Sequence, residues 1–225
     1  MSSPSASRSG APGRWVPFAL IALVLVPAVA GALRLAQLSG GTVAMPADPR
    51  MAASPWPVSV HIVAAIAYAV VGAFQFSPSL RRRRPRRHRR VGRALVPLGL
   101  AVAFSALWMT LFHARTPGSG QLLFGLRLLF GAGMAMALVL GFAAIRRGDV
   151  PSHRAWMMRA YALALGAGTQ VFTQGIGYSL FGRSELATAL MMGAGWAINL
   201  LAAEVLIRSR RGKRFGGALA KEAFQ

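Results

Sequence analysis

Six apolar runs divide the chain, at residues 15–36, 57–80, 94–113, 122–145, 160–181 and 186–207. Each is about 20–24 residues long, enough to cross roughly 30 Å of hydrocarbon at 1.5 Å per helical residue. Glycine and alanine recur in all six. Small residues let membrane helices approach closely, so the pattern predicts an all-α integral membrane bundle of six helices in one domain, 15–207. Before it lies a Ser/Pro/Gly-rich stretch, 1–14, with no apolar periodicity and an expectation of disorder. After it comes a basic tail, 208–225. Pro17 suits a first helical turn, whereas Pro27 predicts a kink or weak point in the first helix. A rival for this first run is a cleaved signal peptide ending at Ala28-Val29-Ala30. The apolar stretch continues past that site to Leu35, longer than such a segment usually is.

Charge sharpens the picture. Only 14% of the residues are charged, against about 25% in a soluble domain, yet the net charge is +21. The charges sit between the apolar runs. With the N-terminus placed inside, the inner segments 1–14, 81–93, 146–159 and 208–225 hold 21 of the 26 basic residues. The outer loops hold only Arg50, Arg115 and Arg183, and Arg34 and Arg127 fall within helices or at their ends. This bias predicts that both termini face the cytoplasm, in a bacterial inner membrane. Arginine outnumbers lysine 24 to 2, which fits the coding bias of a GC-rich genome. Cysteine is absent, which removes disulfides, thiolate metal sites and cysteine nucleophiles.

The densest basic stretch is RRRRPRRHRRVGR, 81–93. Such runs bind nucleic acid in other settings. Here it lies between two membrane helices without interleaved aromatics, so nucleic acid is not expected as a partner. Topological anchoring and attraction to anionic lipid headgroups are.

The four histidines divide by depth. His61 and His113 fall near the outer ends of the second and third helices, and His88 and His153 just before the third and fifth on the inside. If the third helix begins near Pro85, His88 and His113 share one stripe at 100° per residue, through Gly92, Leu95, Gly99, Val102, Ala106 and Met109. His61, Ala65, Tyr68, Gly72 and Gln75 share a stripe on the second helix. Arg127 stands about five residues into the fourth helix with no acid in the outer half of any helix, so its partner is expected to be a carbonyl, a fifth-helix glutamine such as Gln174, water or a bound anion. One reading of the four histidines is two stacked b-type haems, each held by an imidazole pair, moving electrons across the membrane. The other is that each is an interfacial hydrogen-bonding side chain. Two histidines without a carboxylate make a poor site for another metal. A proton path lacks its usual chain of carboxylates.

Three stretches together carry a resemblance. HIVAAIAYAVVGAFQFSPSLRRR, the H-R-x-x-G-R element at His88, Arg89, Gly92 and Arg93, and the H-R-x-W-M-x-R element at His153, Arg154, Trp156, Met157 and Arg159 resemble the bacterial membrane-protein family called domain of unknown function 2306. The likeness covers roughly 58–205 and implies a multi-helix bundle with His-Arg motifs on the inside; it supplies no activity. The layout of paired histidines is also similar to that of cytochrome b561-type proteins, although the ligand spacing of that family is not matched residue by residue.

Helix N-termini favour anions, so the two His-Arg elements are expected either to anchor their helices at the headgroups or to bind an anionic headgroup or ligand through Arg89, Arg93, Arg154 and Arg159. The sequence thus predicts an accessory or ligand- and lipid-binding membrane protein, with haem-based electron transfer as the alternative and a small transporter third. It shows no nucleophile–base pair, phosphate-cradling glycine loop or carboxylate pair, and it leaves association between copies open.

Overall fold

The computed structural model describes residues 15–115 and 118–222, and all their regular structure is helical. The elements are α1 (Val16–Leu38), α2 (Pro49–Ala53), α3 (Pro55–Gln75), α4 (Pro78–Arg83), α5 (Pro85–Phe112), α6 (Gly120–Arg146), α7 (Val150–Ala164), α8 (Gly166–Phe181) and α9 (Glu185–Glu222). The expected tail 1–14 lies outside the described residues. Among the described residues, five helices are long and apolar enough to cross a membrane: α1, α3, α5, α6 and the Glu185–Ser209 part of α9.

The expected fifth span is built differently. Residues 160–181 do not form one helix; α7 and α8, of 15 and 16 residues, meet at Leu165, and each alone is short of a bilayer's thickness. At the junction Gly168 N–H donates to the Leu165 carbonyl at 3.0 Å, a tighter turn than an α-helix makes. The glycines flanking Ala167 let neighbours in: Gly166 lies against the Trp196 indole and Gly168 against the backbone of Leu23.

Two helices also start earlier than the apolar pattern suggests. Pro85 occupies the first turn of α5, so the second half of the arginine run is helix and not loop, as the histidine stripe required. Asp149 caps α7, accepting from Ser152 N–H at 3.0 Å, and the Ser152 side chain first and this backbone bond second hold its carboxyl below the ordinary carboxylate range. His88 and His153 are therefore each the fourth residue of a helix and do not precede it. The last helix likewise runs on through the expected tail to Glu222. Pro17 is in the first turn of α1, and Pro27 stays within a helix that continues past it.

The helices close on one another around a common core. α3 packs on α1 and α5, α6 on α5, α7 and α9, and α8 on α9 and α1. The core is made of small residues at the crossings, with Ala73 and Ala160 at 0% exposure and Ala103 at 1%, around Tyr68, Leu138 and Tyr161. Large apolar side chains such as Phe172, Leu129 and Leu201 turn outward. An apolar exterior over a small-residue interior is the arrangement lipid favours, because close backbone approach gives the packing and the outer side chains meet hydrocarbon.

Two tyrosines fill the middle of the bundle. Tyr161 O–H donates to the Ala69 carbonyl at 2.6 Å, and its ring centroid lies 5.8 Å from that of Tyr68. Glycine makes room for both. A Cβ at Gly72 would stand 2.6 Å from the Tyr161 ring, and one at Gly99 would stand 2.7 Å from Tyr68 and 2.9 Å from Leu138.

Candidate functional site

The inward stripes of α3 and α5 run past this central layer and open a cavity at each end of it. Toward the arginine-rich end the cavity measures about 160 Å³ and includes Gly72 and Gln75 from α3, His88 and Gly92 from α5, and His153 and Arg154 from α7, with Arg81 at its edge. At the far end a cavity of about 360 Å³ includes His61, His113, Arg127 and Gln170. The four histidines thus come together as the two expected pairs, one in each cavity.

Four ring nitrogens define what the pairs offer. His153 Nδ1 lies 2.8 Å from the Gly141 carbonyl oxygen, and His61 Nδ1 lies 3.1 Å from that of Val102 and 3.0 Å from Ser105 Oγ. A carbonyl only accepts, so in both rings Nδ1 carries the proton and Nε2 is the basic nitrogen. His88 Nδ1 and His113 Nε2 are instead buried without a hydrogen-bond partner among the described residues. Gln75, beside His88, has both amide atoms buried and unpartnered. Protein interiors seldom leave such atoms unmet, because each forgoes its bond to water. At the arginine-rich end, then, two residues that line one small cavity, Gln75 and His88, hold a donor, an acceptor and an imidazole nitrogen with no partner among the described residues.

The arginines separate into different roles. Arg154 stands in the cavity with His153, while Arg89 and Arg93 border an adjoining surface groove of about 740 Å³ that also reaches His88, His153 and Arg146. Arg159, expected to bind a ligand, is committed elsewhere. Its guanidinium donates to both carboxylate oxygens of Glu204 on α9, at 2.5 and 3.0 Å, and lies 4.6 Å from the Trp156 ring centroid. Gln174 is also displaced from the expected site: its Oε1 accepts from Tyr178 O–H at 3.0 Å. One turn earlier, Gln170 is the glutamine that reaches the far-end cavity, with its Nε2 donating to the Met192 carbonyl at 3.0 Å. Gln75 was on the predicted α3 stripe, but nothing in the sequence said that its amide would be left without partners.

Arg127 lies in the far-end cavity and, among the described residues, has neither hydrogen bond nor ion pair. Arg50, at the same cavity, is held by Asp48 through Nε at 2.9 Å and by the Ala114 carbonyl at 3.1 Å. That hydrogen bond from Arg50 holds the Asp48 carboxyl below its ordinary range.

These features define a multi-pass, all-helical membrane protein with a histidine-lined cavity on each side of a tyrosine layer. The chain belongs to the predicted membrane protein family DUF2306, whose family model matches residues 58–207. That match includes both cavities' histidines and starts after α1 and α2. No match was found among curated proteins or solved structures.

Proposed function

We propose that the cavity at the arginine-rich end binds a small anionic ligand, and that the protein is a ligand-binding component of the bacterial inner membrane. The observation that carries this reading is the trio of unpartnered buried atoms on Gln75 and His88, two residues that line the cavity. Arg81 and Arg154 supply positive charge beside it, and the first turns of α5 and α7 bring their N-terminal dipoles to the same end. Anionic headgroups at the neighbouring groove of Arg89 and Arg93 are the second partner. In this reading α7 and α8 together make a sixth crossing, and the arginine-rich end faces the cytoplasm. Native mass spectrometry of the purified full chain tests it. The wild type carries a small-molecule adduct that His88→Ala and Gln75→Ala both lose while remaining folded; an adduct kept by both variants refutes the reading.

The pairing of the histidines favours a second reading, a b-type haem at each end for transmembrane electron transfer. His61 with His113 and His88 with His153 would hold the groups, and an imidazole whose Nδ1–H bonds a carbonyl, as in His61 and His153, fits iron ligation. Haem would supply one-electron chemistry that the side chains lack. The chain's part would be to fix the imidazole tautomers, and Arg127 and Arg154, which line the two cavities, would pair with propionates. The oxidised and reduced visible spectra decide: a stoichiometric Soret band supports this reading, and its absence from protein made in haem-replete cells rejects it.

A further inference from the structure

The far-end cavity poses a charge problem that the arginine-rich end does not explain. Arg127 lies seven residues into α6, about 10 Å along the helix axis from its start. A guanidinium at such depth normally pairs or reaches water, since an isolated charge in hydrocarbon is costly. Arg127 has no partner among the described residues. Asp48, two residues from the Arg50 that lines this cavity, is already matched by Arg50. The cavity therefore holds one positive charge in excess. His113, whose buried Nε2 has no hydrogen-bond partner among the described residues, lines the same cavity, as does His61.

Arg50, Thr110 and Gln170 also line the cavity, and the remainder of its lining is apolar. Met134, Phe130 and Trp196 are part of that apolar lining. At about 360 Å³ it is far larger than one water or a small ion requires, since a water needs only about 10–15 Å³ of such space. A smaller space of about 30 Å³ shares Arg127 and His113 and is also lined by Ala114, Arg115 and Ser119, between the end of α5 and the start of α6. A fixed single charge with a nitrogen beside it, at the neck of an apolar chamber, is the complement of an amphiphile with one acidic head.

We propose that the far-end cavity is a second binding site, for an amphiphile that presents one oxyacid group to it, with the acid on Arg127 and His113 and the apolar body against Met134, Phe130 and Trp196. The acid is a carboxylate or a phosphodiester. A fatty acid, an anionic phospholipid or a haem propionate presents this chemistry, and the site is distinct from that of Gln75 and His88.

The test uses the full chain in a neutral maltoside detergent, titrated separately with palmitate, phosphatidylglycerol, haem and the uncharged 1-hexadecanol. Binding is read by equilibrium dialysis for the first two and the alcohol, and by absorbance for haem. At least one of the three acids binds saturably, and whichever does identifies the source. Arg127→Gln weakens it about ten- to a hundredfold, the loss of one charge-assisted hydrogen bond. Arg127→Lys retains most of the affinity, and Arg183→Gln, a surface charge stacked on Tyr178 at 5.2 Å, changes nothing. Should Arg127→Gln fail to fold, His113→Ala with Arg127 intact gives the same readout, with a several-fold loss expected. Hexadecanol binding as tightly as palmitate, acid binding unaltered in Arg127→Gln or His113→Ala, or no binding of any acid overturns the proposal.

Discussion

At the residue scale, the bundle's polar groups fall into those matched by the protein and those left for something else. Arg159 and Glu204 form a matched pair at roughly a quarter to a third side-chain exposure. Removing one partner leaves the other's charge stranded at the edge of hydrocarbon, whereas removing both does not. Arg159→Ala and Glu204→Ala are each expected to lower the melting temperature, and the double variant less than their sum. A double-mutant cycle should give a coupling of about 1 kcal/mol; strict additivity would mean that the pair is not formed. Asp48 offers a pH test outside the spans. Because Arg50 lowers its pKa in the folded state, the stabilisation is present above the unfolded carboxyl's pKa and disappears as pH falls through the depressed folded value. Amide exchange at Arg50 and Met51, both bonded to Asp48, should quicken in that acid window relative to α3, once corrected for intrinsic rates. A constant ratio across the window would contradict this.

At the element scale, glycine decides how close the helices come. Gly99 lies where α5 meets Tyr68 and Leu138, and a methyl there collides with side chains that are themselves buried. Gly99→Ala should cost about 1–3 kcal/mol through overpacking. Gly92, two turns earlier on the same stripe, has nothing within 4 Å of an added Cβ. Gly92→Ala should therefore keep or raise thermal stability, by up to about 1 kcal/mol from helix propensity, while reducing the free space beside His88. Thermal melts of the two variants check the contrast, and equal melting temperatures would refute it. The stripes themselves were legible beforehand: the 100° rule put His88, Gly92, Leu95, Val102, Ala106, Met109 and His113 on one face, and those residues line the two cavities. The break at Leu165 was not legible. An apolar run looks the same whether its helix is continuous or tightens by one turn, and the Leu23 and Trp196 contacts at its glycines come from other helices.

At the scale of the whole molecule, the arginines of 81–93 with Arg146 and Arg154 gather around one end, while Arg50, Arg115 and Arg127 surround the other. The absence of native cysteine makes the proposed orientation directly measurable. Single Ser39→Cys and Ser184→Cys variants should react with an impermeant maleimide in spheroplasts, and Arg87→Cys and Arg147→Cys only after permeabilisation. The reverse pattern would invert the topology; labelling of Ser184→Cys from the inside would remove α7–α8 as a crossing.

Sequence alone determined the solvent and the material of this protein. Runs of about 20 apolar residues can be satisfied only by helices in lipid, small residues imply close packing, and the helical period fixes which residues share a face. Those three constraints are local, so a reader of the chain can apply them one segment at a time. Tertiary structure alone decided the fate of each polar group. Whether Arg159 meets Glu204, whether Gln170 or Gln174 turns to the cavity, and whether Gln75 and Arg127 are left unmatched depend on atoms brought together from distant helices. A hydrogen bond needs its partner within about 3 Å, and no pattern along a single segment specifies what another helix will place there.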